Sequence, residues 1–137
     1  MRIGNPNLAV DTQKEVEGQW VDCPNLWWRD EKTPMRILIR GASTQEHRAR
    51  IRQRTKELTR EEIDDRAHEI SAELSVHLVA GWENVFDAEG NPIQYSVEMC
   101  RAILSNHDNR RLLDFINRVA GDLNTFNVKR REEVEKN

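Results

Sequence analysis

Four histidines, two cysteines and 24 carboxylates are the groups in this chain that could do acid–base, nucleophilic or metal chemistry. The histidines are His47, His68, His77 and His107, and they lie far apart along the sequence. Only His77 falls beside an expected core-facing stripe. A metal site needs several convergent donors, so a histidine there reads as a hydrogen-bonded boundary residue. Glu61, Glu62, Asp64 and Asp65 form the densest carboxylate cluster. No histidine or spaced carboxylate completes a cation shell around them. They read instead as the solvated start of a helix, where negative charge suits the positive end of the dipole. Cys23 and Cys100 fit neither zinc spacing nor a disulfide framework, and are expected as reduced thiols. GxSxG, HExxH, P-loop and GxGxxG motifs are all absent. The expectation is a protein that is not an enzyme, with no cofactor and no metal.

Two constellations point to binding rather than to catalysis. Arg48, Arg50, Arg52, Arg54 and Lys56 make the segment 48–56 strongly basic. At a spacing of two they should fan around a helix, with no aromatic residue interleaved for base stacking. They are the best nucleic-acid candidates in a chain whose net charge of −3 gives no global footprint for such a partner. The aromatic residues are the second constellation. Trp27 and Trp28 sit together between Pro24 and Pro34, while Trp82, Phe86, Pro92, Ile93 and Tyr95 cluster around an acidic turn. Exposed aromatic groups favour partner surfaces, because such anchors carry much of the binding energy. The competing reading makes them packing groups at a loop and a helix junction.

These residues need elements to position them. The chain has 137 residues, 33% of them charged and 37% apolar, enough for one domain with a modest core. No aliphatic run could span a membrane. The start, Met1 to Pro6, has no apolar core of a secretory signal, so no signal peptide is expected. Residues 1–14 read as a flexible arm. Residues 15–40 read as β structure: Val16, Gln19-Trp20-Val21 and 35–40 are short runs of β-formers, and Met35, Ile37 and Ile39 alternate as a half-buried strand does.

Beyond Gly41 the period becomes helical. Ser43-Thr44-Gln45-Glu46 and Thr59-Arg60-Glu61-Glu62 read as capping boxes. Ile63, Ala67, Ile70, Leu74 and Leu78 recur at helical steps, predicting one helix from Thr59 to about Gly81. Ser96 and Asp108 are expected to cap two more helices. Residues 127–137 form a charged tail. The expected fold is α+β: a small N-terminal antiparallel sheet or hairpin, then a mainly helical part (43–126) of about four helices, in a single domain over 15–126.

The stretch around these turns resembles the tail assembly chaperones of long-tailed bacteriophages. In that family a helix ends in a Trp, an acidic turn closes on Gly-x-Pro, and a capped short helix and a final helix follow. The matching residues are Gly81-Trp82, Asp87-Ala88-Glu89-Gly90-Asn91-Pro92-Ile93, Tyr95-Ser96, Leu104 and Asn124-Thr125-Phe126. Gly18-Gln19-Trp20-Val21 and the strand at 35–40 are similar to the family's opening β segment. Tyr95 stands where a Phe is common, and the pair Trp27-Trp28 departs from the family pattern.

The resemblance implies a non-enzymatic assembly factor that binds the tape measure protein, with tail tube subunits as further partners. It implies work in the host cell cytoplasm and absence from the mature virion. Self-association would raise avidity for a long client. The alternatives are a structural virion component, such as a small tail or head–tail connector protein, and a nucleic-acid-binding regulator acting through the basic segment.

Overall fold

The computed structural model describes residues 4, 5 and 8–128; the rest of the charged tail, 129–137, and part of the arm, 1–3, 6 and 7, lie outside the described residues. Three short strands, β1 (Gln19–Asp22), β2 (Arg36–Ile39) and β3 (Val79–Glu83), form an antiparallel sheet in the order β1-β2-β3. The α+β expectation holds: a small sheet, then a mostly helical chain. Among the described residues there are six α-helices rather than four: α1 (Thr12–Glu17), α2 (Gln45–Thr55), α3 (Arg60–Asp65), α4 (Ala67–Ser75), α5 (Val97–Ser105) and α6 (Arg110–Gly121).

The alternation in β2 does what its pattern predicts. Ile37 and Ile39 are buried, Arg36 is exposed and Leu38 is half-buried. Across the sheet Val21, Ile37 and Trp82 stand in register, and all three belong to or pack against the core. On the opposite face Trp20, Leu38 and Gly81 are in register. Helices α4, α5 and α6 pack together, with α6 against β2. Leu78, Val79, Cys100, Leu104 and Ile116 are each 1% exposed at the centre. Burying an aliphatic side chain of this size contributes about 1.5–3 kcal/mol.

The single helix expected over 59–81 is instead two helices and a strand. Thr59 and Glu62 form the predicted capping box, but the chain bends at Arg66 (φ −114°, ψ 23°) and α4 ends at Ser75. A single 3₁₀ turn, Val76–Leu78, leads into β3. Leu78 and Val79 are both buried, Leu78 at the end of the 3₁₀ turn and Val79 at the first position of β3. The free edge of β2 needs hydrogen-bond partners, and the β-branched and aromatic residues Val79 and Trp82 supply a strand that suits it. Trp82 therefore stands in a strand, not at the end of a helix.

Other local expectations also move. Val16 and residues 12–14 lie in α1, capped by Asp11, whose side chain accepts from the Lys14 N–H. Val10 bridges Asn127 and the Asp11 N–H donates to the Phe126 carbonyl at 2.7 Å, tying that part of the expected arm to the last described turn. Helix α2 is capped by Thr44 rather than Ser43. Asn106 caps a 3₁₀ turn before α6, and Asp108 caps nothing. Ser96 caps α5 as expected.

Candidate functional site

The acidic turn is built from its own side chains. The Asp87 carboxylate accepts from the Glu89 and Asn91 N–H groups at 3.0 and 2.8 Å. These bonds, led by the Asn91 N–H, hold its carboxyl below the usual range. Gly90 takes the left-handed backbone (φ 87°) that closes the turn, as its residue type predicts. Phe86 bridges Pro92, and the Ile93 N–H donates to the Val85 carbonyl at 2.7 Å.

Trp82 and Tyr95 anchor this turn. Their rings meet edge to face with centroids 5.0 Å apart. The Trp82 indole N–H donates to the Ile93 carbonyl at 2.8 Å, and the Tyr95 hydroxyl donates to the Val79 carbonyl at 2.9 Å. Both residues are half-buried and serve as packing and hydrogen-bonding groups beneath the turn. The Trp pair is split by role. Trp27 meets Phe115 edge to face at 5.5 Å, while the Trp28 indole N–H donates to the Cys23 carbonyl at 2.9 Å and pins its loop. Neither is fully exposed; both pack against the core.

Trp27, Phe86 and Ile93 come together on one open groove of about 450 Å³. Its other apolar lining includes Met35, Val85, Ile103 and Leu112, from the residue before β2, the chain leading into the turn, α5 and α6. Pro92 is exposed on the rim side of Phe86, and Trp28 does not line the groove. The residue that sequence reasoning missed is Arg29. Its guanidinium lies 5.1 Å from the Phe86 ring centroid and donates to the Gly90 carbonyl. It straps the Trp loop to the acidic turn across 61 positions of sequence, and no local signal marks that pairing. The groove combines aromatic and aliphatic surface with the polar side chains of Arg29, Asn84, Asp87 and Asn109, which suits a peptide segment that has apolar anchors and a polar backbone.

A second, polar pocket of about 300 Å³ lies at the start of α2, lined by Glu15, Arg40, His47, Arg50 and His77 among others. His47 is 5% exposed and its Nδ1 is buried without a hydrogen-bond partner. Burial, then Arg50 and His77, lower its pKa, while burial raises that of Glu15 against the pull of Arg48. The two act oppositely. The unfolded chain protonates His47 more readily, so this group costs stability as pH falls below about 6.5. Glu15 binds its proton more readily when folded, so its stability contribution is lost as pH rises above about 4.5. His47→Gln therefore flattens the fall of the melting temperature between pH 7 and pH 5.5. Parallel melting curves for wild type and variant over that interval would refute the assignment.

Cys23 and Cys100 are buried, and burial pushes their thiols up to about 12 and about 11. A thiolate is the reactive form, so both should resist a thiol reagent in the native protein and react fully in denaturant. Rapid native labelling of either would contradict this. Among the described residues no group of three His, Cys, Asp or Glu could hold a metal ion, and no helix is long and apolar enough to cross a membrane.

With this geometry in view, the comparisons define a class of origin before they define any activity. Residues 38–137 match the family model described as YdaY prophage protein, a match that takes in the end of β2, β3, helices α2 to α6 and the turn, α5 and α6 side of the groove, but not Trp27, Arg29 or Met35. The chain belongs to the YdaY prophage protein family and is phage-derived. No curated protein and no solved structure matches it.

Proposed function

We propose that this phage-derived protein is a non-enzymatic tail assembly chaperone that holds the tape measure protein, with tail tube subunits as further partners, in the host cytoplasm before the virion is complete. The observation that carries the reading is the groove. Trp27, Phe86 and Ile93 share an open apolar surface, and the turn that frames it is the stretch resembling that family. A client-holding surface needs apolar contact area that tolerates many sequences and a charged periphery that keeps the complex in solution. Trp82 and Tyr95 belong to this reading as the groove's support, and Phe86 and Ile93 as its contacts.

The test is co-expression with the tape measure and tail tube proteins of the same phage, together with mass spectrometry of purified particles. Recovery of a soluble complex with the tape measure protein, and absence from particles, supports the chaperone. Presence in particles without client binding replaces it with a structural virion component.

A further inference from the structure

The polar pocket at the start of α2 shares no lining residue with the groove, and the client reading makes no use of it. Four parts of the chain build its walls: Glu15 of α1, Arg40 just after β2, Glu46, His47 and Arg50 in the first turns of α2, and His77 in the 3₁₀ turn before β3. At about 300 Å³ it has the volume of roughly ten liquid waters. His47 is the unusual member. It alone of the eleven residues of α2 is buried, at 5% exposure, and its Nδ1 has no hydrogen-bond partner in the protein. A buried polar atom left unpaired is costly to the fold, so this one points to a partner from outside the chain.

The surrounding charges select the sign of that partner. After burial, Arg50 and His77 are what disfavour a charged His47. After burial, Arg50, Arg101 and Arg40 do the same to His77, and Glu46 opposes them. The field at both rings is therefore positive, with Arg40 and Arg50 supplying it from the pocket wall. The carboxylates do not cancel it. Glu46 is committed to Arg50 at 2.6 Å, while Glu15 is offset by Arg48 and its burial favours the protonated form. The first turn of α2 adds the positive end of its dipole: Thr44, which also lines the pocket, caps the helix by accepting from the His47 N–H at 3.1 Å. The basic residues of α2 are sorted accordingly. Arg50 and Arg54 are half-buried, the first on the pocket and the second paired to Glu73, whereas Arg48 and Arg52 are exposed. A metal cation would oppose this field, and no group of three His, Cys, Asp or Glu among the described residues would hold one.

We propose that this pocket binds a phosphate group, as inorganic phosphate or as a small phosphate monoester. The Arg40 and Arg50 guanidiniums clamp its oxygens. Each has five N–H donors in a planar fork. Arg40 uses one of them on the His77 carbonyl at 3.1 Å, and Arg50 uses one on Glu46. His47 and His77 remain neutral, and each donates a ring N–H. Glu46 is largely exposed and gives way to the incoming phosphate. The inference stands independently of the groove and of the chaperone reading.

The experiment is isothermal titration of the full chain with inorganic phosphate at neutral pH, against sodium chloride of equal ionic strength. One phosphate per chain is expected. Phosphate should also shift the imidazole NMR signals of His47 and His77 and leave those of His68 and His107, which do not line the pocket. Arg40→Gln and Arg50→Gln each weaken binding by about tenfold or more, with a native circular-dichroism spectrum, and Arg52→Gln leaves it unchanged. Arg40→Lys and Arg50→Lys keep the charge and lose the fork, so they give intermediate losses even where a Gln variant folds poorly. Ribose 5-phosphate that binds more tightly than phosphate, with ribose inert, identifies a monoester as the source; equal affinities identify the free ion. Heat no greater than that of chloride would overturn the site. So would equal movement of all four histidine signals, affinity indifferent to Arg40 and Arg50, or binding of ribose without its phosphate.

Discussion

Trp82→Ala lowers the unfolding free energy by about 3 kcal/mol, the low end for removing a large aromatic from a packed site. The indole loses its edge-to-face contact with Tyr95 and its bond to the Ile93 carbonyl, and leaves that carbonyl without its donor. For a domain of this size the melting temperature falls by about 10 °C. The turn that carries Phe86 and Ile93 loosens with it, so client binding falls as a consequence of lost order. Urea unfolding of wild type and variant measures the first effect. A loss below about 1 kcal/mol would mean that Trp82 is a surface contact and not the support of the turn.

Phe86→Ala separates binding from folding. The ring is half-buried, and its stabilising partners are the Arg29 guanidinium and the bridge to Pro92. A cation over an exposed aromatic face contributes about 0.5–1 kcal/mol, so the melting temperature should move by only a few degrees. A central aromatic anchor costs far more in binding when truncated, and affinity for the tape measure protein should fall by about tenfold or more. Isothermal titration against a soluble tape measure segment checks this. A variant that binds as tightly as wild type would remove Phe86 from the contact surface.

The legible parts of the fold are those where one local rule decides. The period of two in Met35, Ile37 and Ile39 marks β2, and the capping boxes and helical steps mark α3, α5 and α6. The strand β3 was illegible because Leu74 and Leu78 continue the helical step into it; only the pairing with β2 converts Val79 and Trp82 to a strand. Helix α1 is six residues of polar sequence, too short to show a period. Its Asp11 cap is local, but the link from the Asp11 N–H to Phe126 depends on a segment more than a hundred residues away.

The candidate site follows the same division. Phe86, Pro92, Ile93 and Gly90 are adjacent in sequence, so their turn could be read from residue types alone. That Trp27 joins them, that Arg29 straps Gly90, and that Ile103 and Leu112 complete the wall are properties of tertiary packing. The two faces of α2 were hidden for a related reason. Spacing places Arg50 and Arg54 opposite Arg48 and Arg52, but only tertiary packing, through the Arg54–Glu73 pair and the pocket that Arg50 lines with His47 and His77, decides which pair turns inward.

The most direct measurement of the central claim is light scattering of the tape measure protein on dilution from denaturant. Scattering should be suppressed by stoichiometric wild-type protein and much less by Phe86→Ala of matched stability. Equal suppression by both, or none by either, would contradict a client-holding groove.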